Sequence, residues 1–214
     1  GCFGDAIKLT PWESFYKDIL LTALILFLVT RIKDIKPVFG GKIPGMLTYL
    51  SLFVSLYVTY HVLVHLPIVD FRPYAIGNNI SDGMEYKGDG EIPPIHDFTL
   101  EDSQNDLTPQ ILKEPKAMLV IMQDFDKTDK DGLLIIKDIA NKALKKGYKV
   151  YGVSASYYDD LLIAKEKYGL PFDFLFCDAT TLKTIVRANP GIIILKKGTI
   201  TDKKNYTDAA TIKL

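Results

Sequence analysis

The chain has 214 residues, and its 26 basic and 26 acidic side chains cancel. That length suits one or two domains, and the charge balance excludes a nucleic-acid binder driven by net charge. Two cysteines, Cys2 and Cys177, are too few for a disulfide scaffold.

The hydrophobic residues crowd into the first third of the chain. No signal peptide is visible. The chain opens at Gly1-Cys2-Phe3-Gly4 without Met, so it is expected to be a piece of a longer protein whose missing part carries further spans. Thr10-Pro11-Trp12-Glu13 reads as a helix start: Thr10 caps, Pro11 suits the first helical position, and Glu13 completes a capping box. The helix is expected over about 11–32, long enough at about 33 Å to cross a bilayer. Its uninterrupted apolar run, Ile19 to Thr30, is short, so a re-entrant or interfacial helix is the alternative. Trp12, Phe15 and Tyr16 would form an aromatic belt, with Lys17 reaching the head groups.

The stretch Ile43–Val69 contains no Asp, Glu, Lys or Arg. A helix over about 45–66 satisfies its own backbone and exceeds the roughly 20 apolar residues that span a hydrocarbon core. The alternative is a buried core helix of a soluble protein. Between the two helices, Arg31–Lys42 holds four basic residues and one acid, which places this loop in the cytoplasm by the positive-inside rule. Both flanking segments then lie on the other face, the periplasm of a bacterial inner membrane. The expected division is a membrane region 1–69, an irregular linker and docking segment 70–115, and a globular domain 116–214. Residues 70–115 are rich in turn formers, with a short strand expected at Ile95–Leu100. Asp102 and Asp106 flank Asn105 without the spacing of a calcium loop, and read as solvated turn carboxylates.

From Ala117 the pattern becomes β-α-β-α-β-α-β-β, that of a layered α/β domain. The strands are expected at Ala117–Gln123, Lys149–Ser154, Phe172–Cys177, Gly191–Lys196 and Thr199–Asp202. Helices are expected at Asp129–Lys146, Asp159–Tyr168 and Thr180–Val186.

Candidate sites are few. His61 and His65 stand four apart on one helix face and could hold a quinone head group or a metal, or serve ordinary hydrogen bonding within a bundle. Asp70 and Arg72 could pair to fix how the chain leaves the membrane. No serine triad, zinc spacing or nucleotide loop is present.

The stretch Phe174–Asp202 resembles the C-terminal half of a thioredoxin fold. The matching features are Asp178, then Val186-Arg187-Ala188-Asn189-Pro190, then the strand Gly191–Leu195 and the Lys196-Lys197-Gly198-Thr199 turn. The resemblance implies a cis bond at Pro190. It also implies a Cys-x-x-Cys after the first strand. This chain has Asp124-Phe125-Asp126-Lys127-Thr128-Asp129 there, with no thiol to exchange. Cys177 then reads as a buried structural thiol.

The front of the chain resembles DoxX/MauE-type membrane proteins of the Bacteroidetes form, which carry a thioredoxin-like tail. This rests on Gly1-Cys2-Phe3-Gly4-Asp5, Leu9-Thr10-Pro11-Trp12, Leu66–Tyr74 and Ile95-His96-Asp97-Phe98. The resemblance implies a four-helix membrane bundle of which this piece holds the last two helices. Cys2 has two readings: a redox thiol needing a partner from outside this chain, or a packing residue in a tight turn. The function expected is a membrane-anchored periplasmic module without redox activity that binds or scaffolds other membrane or periplasmic subunits. The alternative is a membrane thiol oxidoreductase using Cys2, with a quinone as its cofactor. Otherwise no cofactor is expected, and the expected partners are the lipid bilayer and protein subunits, without nucleic acid.

Overall fold

The computed structural model describes residues 9–34, 36, 38–88, 90 and 92–214. The chain forms two compact units, residues 1–60 and 61–214. This differs from the division expected from composition, because 70–115 belongs to the same unit as 116–214.

In the first unit, α1 spans Pro11–Thr30. The Thr10 side chain accepts from the Glu13 N–H at 3.3 Å, and the Glu13 carboxylate accepts from the Thr10 N–H at 2.7 Å. This reciprocal cap satisfies two of the donors a helix start leaves open. Trp12, Phe15 and Tyr16 cluster on the first turns with ring centroids 6.0–6.3 Å apart. The helix α2 spans Ile43–Val64, and none of its residues is buried. It is the one helix among the described residues long and apolar enough to cross a membrane. The expectation of two such helices is met by α2 alone. The physical reason lies in α1, whose first half carries Glu13, Lys17 and Asp18 and dilutes the apolar run.

The second unit is built on a five-stranded sheet of β1 (Ala117–Met122), β2 (Lys149–Ser154), β3 (Asp173–Phe176), β4 (Gly191–Lys196) and β5 (Thr199–Asn205), in the order β3-β2-β1-β4-β5. The pairs β1–β2 and β2–β3 are parallel; β1–β4 and β4–β5 are antiparallel. Two short helices, α3 (Ile80–Met84) and α4 (Thr108–Lys113), precede the sheet in the chain, and in its parallel half α5 (Lys130–Lys145) and α6 (Tyr158–Tyr168) make the crossovers that such strands need. The β4–β5 hairpin turns on Lys197 and Gly198, both with positive φ, the two-residue turn whose twist matches the flanking strands.

Every residue of β1 is buried, and its alternation sorts them between two cores. Met118, Val120 and Met122 face Leu133, Ile136 and Ala140 of α5. Leu119 and Ile121 face Leu182 and Ile185 of a further helix, Ala179–Ile185. That second core is completed by the irregular segment, which contributes Tyr74, Ile80, Ile95, Phe98, Leu100, Ile111 and Leu112. The segment also covers both sheet edges. The Gly77 N–H donates to the Ile200 carbonyl at 2.8 Å, and the Ile200 N–H to the Asn78 carbonyl at 2.9 Å, along β5. Glu101 exchanges two backbone bonds with Phe176 of β3, at 3.0 and 2.7 Å. The strand expected at Ile95–Leu100 does not form: the Leu100 N–H goes to the Thr108 hydroxyl at 2.7 Å instead of a ladder partner.

Candidate functional site

The loop that follows β1 occupies the position where the resemblance implies a dithiol. Phe125–Lys127 makes a single 3-10 turn capped by Asp124, whose carboxylate accepts from the Asp126 N–H at 3.1 Å and from the Lys127 ammonium at 2.7 Å. That lysine holds the Asp124 carboxyl below its ordinary value, and Asp124 holds Lys127 above its own. The pair is therefore charged at neutral pH. Asn189, just before Pro190, ties the loop down from the opposite side. Its amide donates to the Asp124 carbonyl at 3.0 Å, and its Oδ1 accepts from the Thr128 hydroxyl at 3.0 Å. The Phe125 N–H donates to Ser156 Oγ at 2.9 Å, and Gln123 Nε2 to the Val186 carbonyl at 2.6 Å. The loop is thus stitched to the β2–α6 and α7–β4 connections, α7 being Ala179–Ile185. The Asn189–Pro190 bond is cis.

Beside this loop lies a cleft of about 410 Å³, walled by Asp124, Asp126, Lys127, Tyr157, Asp160 and Lys183. An adjoining hollow of about 370 Å³ shares Phe125, Asp126 and Asp160 with it. The Lys130 ammonium stands 4.3 Å from the Phe125 ring centroid, a cation–π contact. These walls offer acids, ammonium groups and an exposed tyrosine, and no sulfur. Such groups can make ion pairs and hydrogen bonds to a ligand.

Cys177, just past the end of β3, is fully buried. Burial pushes its thiol up to about 12, against a smaller opposing effect of a backbone hydrogen bond from Thr99. It stays a thiol at neutral pH and cannot act as a nucleophile there. Cys2 lies outside the described residues.

The two histidines are in contact, with ring centroids 4.8 Å apart. His65 Nδ1 lies 2.9 Å from both carboxylate oxygens of Asp208. The neighbouring Val64 carbonyl accepts from Asn205 Nδ2 and Thr207 Oγ1, each at 2.7 Å. Among the described residues no group of three or more metal-ligating side chains is arranged to hold an ion.

Asp70 and Arg72 pair through two bonds of 2.9 and 3.0 Å. Lys203, a residue sequence reasoning missed, joins them at 2.5 Å and also donates to the Tyr74 carbonyl at 2.7 Å. Arg72 reaches the Thr184 carbonyl at 2.9 Å. Burial alone would raise the Asp70 carboxyl, but the hydrogen bonds from Arg72 and Lys203 hold it well below the carboxylate range. Nothing in the sequence marks Lys203 as internal; it stands beside Lys204 in a strand whose register shifts at Ile194/Leu195. Asn189 was legible as the residue before Pro190, but the role of its amide was not.

The strand order, two parallel crossovers feeding an antiparallel hairpin with a proline loop before β4, decides the fold. The second unit is a thioredoxin-like α/β domain. The chain is distantly similar to several solved structures. A thiol:disulfide interchange protein from a Bacteroides species is 18% identical, with 53% of this chain and 81% of that one covered and a TM-score of 0.39. The thioredoxin domain of a thiol-disulfide oxidoreductase from Bacteroides vulgatus is also 18% identical, over 53% and 89%, at 0.39. An uncharacterised conserved protein from Geobacillus kaustophilus is 12% identical over 50% of this chain, at 0.38; the match spans 64% of its length, less than two thirds. No family model and no curated protein matches the chain.

Proposed function

We propose that this chain is a membrane-anchored protein whose thioredoxin-like domain binds or scaffolds a protein partner and does not exchange disulfides. The observation that carries this reading is the loop after β1. It holds no sulfur, and Asn189 and Ser156 tie it down beside a cleft of mixed charge. The front of the chain, in this reading, is a membrane hairpin of the DoxX/MauE type. The apolar, unburied α2 supports it, as does the basic loop Arg31–Lys42. The domain then stands in the periplasm of a bacterial inner membrane, with the cleft open to other subunits.

The test compares wild-type full chain with an Asp126→Lys/Lys183→Glu variant, both purified from native membranes. The expected result is a defined set of co-purifying subunits that the variant loses while melting at the wild-type temperature. The same set on both proteins overturns the cleft as the binding face. Alkylation of Cys2 with and without reductant tests the enzymatic alternative. A reversible change in its labelling during turnover of a partner disulfide would establish a thiol oxidoreductase and remove the non-enzymatic reading.

A further inference from the structure

The turn that follows α2 carries its polarity the wrong way round for water. Over residues 68–72 the sequence reads Ile-Val-Asp-Phe-Arg. Ile68, Val69 and Phe71 are 88%, 60% and 61% exposed, while Arg72 is 9% exposed and Asp70 is largely covered. An ordinary surface turn would place the charges outside and the apolar groups inside, because unpaired buried charge is expensive and exposed apolar area unfavourable. Here the buried charges are fully paired. Asp70 takes bonds from Arg72 and Lys203, and these two reach on to the carbonyls of Thr184, Tyr74 and Ile185. The pairing fixes the backbone, so Ile68, Val69 and Phe71 are held outward on a braced turn and cannot collapse onto the core. Just upstream, the Val64 carbonyl is held by Asn205 and Thr207, and His65 by Asp208.

An outward apolar triplet needs an occupant, and its place in the chain names one. Ile68 lies four residues beyond Val64, the last residue of α2. Four residues reach at most about 14 Å when fully extended. If α2 crosses the bilayer, the triplet cannot leave the head-group region, where apolar and aromatic side chains are favoured. We infer that the Pro67–Phe71 turn is a membrane footing of the second unit, with Ile68, Val69 and Phe71 immersed in the lipid interface and the Asp70–Arg72–Lys203 cluster bracing them from behind. This rests on the membrane reading of α2 given above.

Tryptophan depth measurement tests it on the full chain. Trp12 is the one native tryptophan, so a Trp12→Phe background is silent. Single tryptophans are placed by Ile68→Trp and Phe71→Trp. Val54→Trp in α2 serves as the membrane reference, and Ile163→Trp as a control on α6, which packs on the other face of the sheet. All four positions are exposed, so the substitutions leave the cores intact. The proteins are reconstituted in phosphatidylcholine vesicles whose acyl chains are unbrominated, brominated near the head group, or brominated near the terminal methyl, the last to reach Val54 at the middle of α2. The expected result is a blue-shifted emission for Ile68→Trp and Phe71→Trp that brominated lipid lowers about twofold, with Ile163→Trp unaffected. If Val54→Trp is quenched and the two turn positions are not, the footing is wrong and the membrane reading stands. If Val54→Trp also escapes quenching, the membrane reading fails and the footing with it. Equal quenching at Ile163→Trp points to non-specific adhesion of the whole unit and overturns the footing.

Discussion

Asp70 shows how one buried carboxylate ties distant parts of the second unit together. Its two oxygens take bonds from Arg72, two residues on, and from Lys203, far along the chain in β5. Removing one member of such a cluster leaves the others buried and short of a counter-charge, which costs about 3–5 kcal/mol. Asp70→Asn is therefore expected to lower stability by about that amount at pH 7, read by denaturant unfolding of the detergent-solubilised chain. The pH dependence has a definite sign. The folded-state value of Asp70 lies below its ordinary 3.8, so the unfolded chain binds the proton more readily. The stabilisation is complete above pH 3.8 and drains away as pH falls from there towards the folded-state value. Wild type should lose stability faster than Asp70→Asn over that acid range; parallel curves would show that the carboxylate is not stabilised by its partners. The Asp70–Arg72 pair could be foreseen from adjacency. Lys203 could not, because only the folded sheet brings it to them.

Among the elements, those with a clean period could be read from the chain. The apolar run of β1, the broad face of α5 and the Gly191–Lys196 run lie within a residue or two of where periodicity puts them. The segment 70–115 resisted because its buried residues are scattered among Gly, Pro and Asn without a period. Their burial comes from packing onto a sheet that sequence patterning cannot see. It supplies one core layer and pairs with both sheet edges at Gly77, Asn78 and Glu101, and open edges are templates for association. A chain beginning at residue 116 should thus aggregate, whereas one beginning at residue 70 should be monomeric and folded. Size-exclusion chromatography with circular dichroism decides it, and a monodisperse, folded 116–214 fragment would reduce the segment to a mere tether. The candidate site divides in the same way. The missing dithiol was visible in Asp124–Asp129, since a residue type needs no fold to be absent. The seam through Asn189, Thr128 and Ser156 joins three loops far apart in sequence, and only the structure brings them together.

For the molecule as a whole, the proposed arrangement across a bilayer rests on where charge is tolerated. The helix α2 carries no charged side chain, and Arg31, Lys33, Lys36 and Lys42 precede it with one acid among them. Basic residues beside a span stay in the cytoplasm. A helix that crosses once must leave Lys33 and Asp138 on opposite sides, whatever α1 does. Single cysteines in a Cys2→Ser background make this measurable, because Cys177 is buried with its thiol pushed up to about 12 and stays silent. Asp138→Cys should react with a membrane-impermeant maleimide in cells whose outer membrane alone is opened. Lys33→Cys should react only after the inner membrane is breached. Equal reactivity of the two would show that α2 does not cross. Leu9→Cys then reports on α1, whose Glu13, Lys17 and Asp18 weaken its claim to the bilayer. Labelling together with Asp138→Cys makes α1 and α2 a hairpin, and labelling together with Lys33→Cys lays α1 along the inner surface. The hairpin is the expected outcome. The Trp12, Phe15 and Tyr16 cluster and the acidic first turn sit together at the N-terminal end of α1, leaving Ile19–Thr30 as an unbroken apolar stretch beyond them, and aromatic side chains favour the membrane–water boundary.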